Sequence, residues 1–94
     1  MTTLRIADNV AWVSHEDLDD GGTPMAYVAL LPTGRPLALE GPACLVWLAV
    51  ADGGTLEEVV AATASMAEAE QATISEDVRT LVDSLIAAGL VRAD

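Results

Sequence analysis

Residue types able to do chemistry are sparse in this chain, and their placement works against catalysis. His15 and Cys44 are the single histidine and the single cysteine, so an activated nucleophile would have to be this pair. One stands at the end of a strand-like run and the other inside an apolar helix-like run, so Cys44 reads as a buried structural thiol. A metal site would need carboxylates alone. The nearest approach, Asp17-Leu18-Asp19-Asp20-Gly21, lacks the spaced donor pattern of a calcium loop and reads as a solvated turn. No catalytic residue, metal or cofactor is expected.

Composition narrows the choice of partner. The chain has 94 residues, enough for one domain with a modest core. Its aromatics are Trp12, Tyr27 and Trp47, so Leu, Val and Ile must supply most of the core volume. Fifteen acidic residues face four arginines and no lysine, for a net charge of −11. Such a field repels phosphate backbones and anionic membrane surfaces, and it tolerates or steers a basic or apolar peptide. One cysteine excludes an intrachain disulfide, no apolar run is long enough to span a bilayer, and Met1 to Ile6 lacks a signal-peptide pattern. These features place the chain in the cytoplasm, with neither nucleic acid nor membrane as partner.

Residues able to position a site fall into two blocks. Val10 to Ser14 and Met25 to Leu31 read as strands, separated by the acidic, Gly-rich hairpin loop Glu16 to Pro24. Pro32-Thr33-Gly34-Arg35 reads as a tight turn with Gly34 available for a positive φ, leading to a third strand at Pro36 to Leu39. Helices follow. Pro42 suits a first helical position, Ala43 to Ala51 continue, and Asp52-Gly53-Gly54 stops the run. Thr55 with Glu58 forms a capping box for a second helix burying Leu56, Val59 and Val60. Met66 to Ala72 reads as its fraying end plus a loop. Thr73 with Glu76 reads as another capping box, for a third helix with Ile74, Val78, Leu81, Val82, Leu85 and Ile86 at amphipathic spacing, closed by Gly89. The fold class is α+β, a winged helix-turn-helix: a three-stranded antiparallel sheet followed by three helices, in one domain over residues 1–94.

Winged helices usually meet DNA, but here the third helix sets Glu76, Asp77 and Asp83 against Arg79, and the strand region offers only Arg35. Asp83-Ser84-Leu85 resembles the phosphopantetheine motif of acyl carrier proteins, yet it sits inside the last helix instead of opening a central one. Ser84 therefore reads as a helix-surface serine. What remains is shape: a short third strand ending a meander leaves an open edge, and an apolar helix beside it makes a groove that accepts an added strand. The bland alternative is that Leu37, Leu39 and the third-helix residues are ordinary core.

The ordered series Leu39-Glu40-Gly41, Leu45-Val46-Trp47-Leu48, Asp52-Gly53-Gly54-Thr55-Leu56-Glu57-Glu58-Val59-Val60, Asp77-Val78, Leu81-Val82, Leu85 and Gly89-Leu90-Val91 resembles the PqqD-like family. These domains, also called RiPP recognition elements, bind leader peptides of ribosomally made, modified natural products. The resemblance covers residues 10 to 91. It implies a leader peptide adding as a fourth strand beside the third, along Arg35, Leu37, Ala38 and Leu39, with Asp77, Val78, Leu81, Val82 and Leu85 as the helical wall and Arg79, Thr80 and Ser84 as polar selectors. The implied partners are a precursor peptide and a separate modifying enzyme. Pro36 departs from the pattern by removing one ladder N–H, and the second-to-third helix connection is Ala-rich. The rival class is an acidic winged-helix regulatory or accessory protein working through protein contacts. An open edge also accepts a second copy, so homodimerisation through it stays open.

Overall fold

The computed structural model describes residues 2–15, 25–32 and 34–94. Element order is β1 (Thr3–Ile6), β2 (Val10–His15), β3 (Met25–Leu30), β4 (Leu37–Glu40), α1 (Pro42–Asp52), β5 (Gly54–Thr55), α2 (Leu56–Ala67), α3 (Gln71–Ala87) and β6 (Val91–Ala93). Three helices thus combine with two antiparallel sheets of three strands, ordered β5-β1-β6 and β2-β3-β4. The acidic hairpin loop expected at Glu16 to Pro24 lies outside the described residues.

The second sheet is the expected meander, with Val10 opposite Leu30, Trp12 opposite Val28, and Val28 in turn opposite Leu37. Directly opposed residues share a face, so Val10, Trp12, Val28, Ala26, Leu37 and Leu39 point to one side and Val13, Tyr27 and Ala38 to the other. On the first side Ala26, Val28 and Leu39 are buried, while Val13 and Tyr27 on the second are exposed. The third strand runs Leu37–Glu40, where Pro36 to Leu39 was expected. Pro36 has no N–H to give a ladder, so pairing starts one residue later. Gly34 lies three residues before that strand. Its N–H donates to the Leu30 carbonyl, and a Cβ at this position would overlap that same oxygen, so close approach is what demands glycine.

The other sheet was not expected. β1 pairs Leu4 with Gly54 and with Ala93, and Ile6 with Val91, tying both ends of the chain together. Reciprocal backbone bonds between Thr3 and Asp94 extend it. Segments of four, two and three residues carry too little local pattern to read as strands, and the ladder itself defines them.

α1 is apolar on every side because it is the central element. Cys44, Val46, Trp47, Ala49 and Val50 are all buried, and the Trp47 ring meets Trp12 edge-on at 5.9 Å. Around it pack Ala26, Val28 and Leu39 from the meander, Val59 and Val60 from α2, Val78, Val82 and Leu85 from α3, and Leu4, Leu90 and Val91. Gly41, at φ 58, turns the chain from β4 into Pro42. The Thr55/Glu58 capping box is present in both directions, 3.2 Å from the Glu58 N–H to Thr55 Oγ1 and 3.0 Å from the Thr55 N–H to Glu58 Oε1.

The capping box expected at Thr73 and Glu76 is absent. α3 begins at Gln71 with Glu70 as its cap and no side-chain cap bond, and the Thr73 N–H donates to the Glu70 carbonyl. The reason lies one helix earlier. α2 runs its full length to Ala67 and closes on Glu68 in the left-handed region, φ 54, with the Ala69 N–H donating back to Ala64. That tight reversal brings the chain into α3 within two residues. α3 closes as expected, with Gly89 at φ 81 and paired bonds from Gly89 to Ile86 and from Leu90 to Leu85.

Candidate functional site

Among the described residues β4 is an edge strand, bonded to β3 on one side only. Alternate N–H and C=O groups of such a strand point outward with no ladder partner. Its inward-facing residues differ: Leu39 is 6% exposed and Leu37 is 47% exposed. Leu37 therefore projects an apolar side chain from the core-facing side of the sheet at the point where the sheet stops. Ala38 and Arg35 are exposed, and Arg35 lies two residues before the strand, outside the pairing.

β4 leads through Gly41 directly into an apolar cleft of about 230 Å³. The cleft is lined by Pro42 and Val46 of α1, Thr63 and Ala67 of α2, and Ile74, Asp77, Val78 and Leu81 of α3. β4 packs chiefly on β3 and α1, and α3 on α2, α1 and β6. The first turns of α1 therefore stand between the open edge and the third helix, and groove and edge meet at the β4 to α1 corner.

Of the helix residues picked from sequence, Asp77, Val78 and Leu81 line this cleft. Val82 and Leu85, at 2% and 3% exposure, belong to the core behind it. Arg79 lines a different hollow, between α2 and α3, with Leu56, Glu57, Val60, Gln71, Ala72 and Ser75. Thr80 is exposed and lines neither. The Ser84 hydroxyl donates to the Thr80 carbonyl at 3.1 Å, the ordinary behaviour of a helix serine.

Pro42, Val46, Thr63, Ala67 and Ile74 are cleft residues that sequence reasoning did not select. Thr63 carried a usable signal, since it falls four residues after Val59 on the buried stripe of α2. At 2% exposure its hydroxyl has no hydrogen-bond partner among the described residues. Cys44 is buried at the centre of α1, and no group of three or more His, Cys, Asp or Glu among the described residues could hold a metal ion. No helix among them is long and apolar enough to cross a membrane.

A family model described as coenzyme PQQ synthesis protein D (PqqD) matches residues 26–91, from within β3 to the start of β6. The chain belongs to the PqqD family. The PqqD match takes in β4, all three helices and every residue lining the cleft, leaving out β1 and β2. No curated protein and no solved structure matches the chain.

Proposed function

We propose that this chain is a non-catalytic binding domain that recognises the leader segment of a ribosomally synthesised precursor peptide and presents it to a separate modifying enzyme. The mechanism is strand addition at β4. Membership of the PqqD family supports the partner class, and the observation that carries the mechanism is Leu37: an apolar, half-exposed side chain on the core-facing side of an unpaired edge that runs into an apolar cleft. An extended peptide laid along Leu37, Ala38 and Leu39 takes up the outward backbone groups and covers Leu37, and its side chains reach Asp77, Val78 and Leu81. Val82 and Leu85 back the wall from inside, Arg35 sits beyond the end of the pairing, and Arg79 and Thr80 lie away from the path. In this reading the meander is the wing of a winged helix-turn-helix and acts as a peptide platform.

The test uses a leader peptide synthesised from a short precursor gene neighbouring the one for this chain. Amide exchange should slow at alternate residues of Leu37–Glu40 on binding, and Leu37→Asp should weaken binding by about 1–3 kcal/mol while leaving the melting temperature nearly unchanged. Leu39→Asp or Val82→Asp is a poorer probe, because both sites are buried and unfolding would mimic lost binding. Protection confined to the helices, with β4 exchanging as before, would rule out strand addition. Analytical ultracentrifugation without peptide shows whether a second copy occupies the same edge.

A further inference from the structure

The β4 edge carries charge only at its two ends. Arg35 stands two residues before the strand and Glu40 is its last residue, while Leu37, Ala38 and Leu39 between them are uncharged. Both charged side chains are exposed, and neither has an ion-pair partner among the described residues, whereas Arg5 is held by Asp8 and Asp94. Asp77, exposed on α3 and lining the cleft into which β4 leads, adds a second carboxylate on the Glu40 side. Five extended steps of about 3.3 Å set Arg35 and Glu40 up to roughly 16 Å apart, too far for one peptide side chain to meet both.

We infer that the edge selects a bound segment by the order of its charges: a basic residue opposite Glu40, an apolar residue opposite Leu37 three positions later, and an acidic residue beside Arg35 two positions after that. The register follows from strand pairing. Every ladder among the described residues is antiparallel, and antiparallel pairing is the more stable kind per residue, so the added segment runs from the Glu40 end toward Arg35. Directly opposed residues share a face, and the residue opposite Leu37 therefore lies on the core-facing side, against that half-exposed side chain. The net charge of −11 steers a cationic peptide to the chain, but it cannot order one. A uniformly basic segment sets a cation against Arg35, and a uniformly acidic one meets repulsion from Glu40, Asp77 and the whole field. A segment with its basic residue first satisfies both ends.

This order rests on strand addition at β4, and two capped hexapeptides of identical composition separate the two. Acetyl-Lys-Val-Thr-Val-Thr-Glu-amide carries the charges in the inferred order, and acetyl-Glu-Val-Thr-Val-Thr-Lys-amide carries them reversed. Both have zero net charge, so the field of the whole chain treats them alike. In ¹⁵N-labelled protein both should shift the β4 amides, the first binding about threefold to tenfold more tightly, as expected of two exposed ion pairs. The preference should narrow as sodium chloride is added. Arg35→Glu combined with Glu40→Arg, both at exposed positions and checked for an unchanged melt, should cancel or reverse it.

The charge order is overturned if the two peptides bind β4 equally, if the reversed peptide binds better, or if the preference survives undiminished in the exchanged variant; in each case strand addition itself stands. Shifts at β4 from neither peptide overturn the order too, and amide exchange with the leader from the neighbouring precursor gene then decides strand addition separately.

Discussion

Among single residues, Glu68 stands out for its backbone. At φ 54 and ψ 43 it holds the left-handed conformation that closes α2, a region where a Cβ crowds the following carbonyl. Its carboxylate also sits at the negative end of the helix dipole. Glu68→Gly should relieve both, and after the greater entropy of an unfolded glycine it should stabilise the domain by about 0.5–1 kcal/mol. Urea denaturation checks this; a lower midpoint would mean that Glu68 makes a compensating contact in solution. Gly34 shows the opposite constraint, since any side chain there collides with the Leu30 carbonyl. Neither requirement could be read from residue type alone, because each arises from where the chain goes next.

At the level of elements, the joint between α1 and α2 does three jobs in three residues. Gly53 ends α1, Gly54 and Thr55 pair with β1, and Thr55 caps α2 through its reciprocal box with Glu58. Thr55→Ala should therefore cost about 1 kcal/mol of stability, and a double-mutant cycle with Glu58→Ala should show positive coupling, because each side chain satisfies the other's backbone donor. Additive effects of the two substitutions in thermal melts would show that the box closes only one way. The Arg5–Asp94 ion pair, 2.7 Å and largely exposed, joins β1 to the chain end. Its contribution falls within the roughly 0–1 kcal/mol of surface pairs. The β1-β5-β6 sheet is held instead by its ladder and by Leu4, Leu90 and Val91 in the core.

For the whole molecule the dominant quantity is charge. α2, α3 and their connection carry Glu57, Glu58, Glu68, Glu70, Glu76, Asp77 and Asp83 against Arg79, all exposed. Self-repulsion of this kind opposes the compact state and is screened over about 10 Å at 0.1 M salt. The melting temperature should rise as sodium chloride is added from low ionic strength to physiological levels, with most of the gain at the low end. A melt insensitive to salt would mean that the acidic groups are already compensated. The same field predicts no measurable duplex DNA binding at physiological salt; a tight, steeply salt-dependent anisotropy titration would contradict it.

What the sequence determined by itself is local. The capping box at Thr55, the Pro42 helix start, the glycine closure after α3, the amphipathic stripe through Val78, Val82 and Leu85, and the alternation in β2 and β3 all depend on residues within a few positions of each other. Order and spacing of those signals were enough to point to the PqqD family. Tertiary structure decided the rest. It made strands of Thr3–Ile6, Gly54–Thr55 and Val91–Ala93, which exist only because distant segments pair. It split the stripe of α3 into residues that face a cleft and residues sealed in the core. It put the first turns of α1 between the open edge and α3, and it buried the Thr63 hydroxyl with no hydrogen-bond partner among the described residues. Burial and juxtaposition belong to the packed chain, so a residue's accessibility cannot be assigned until every neighbour that covers it has been placed.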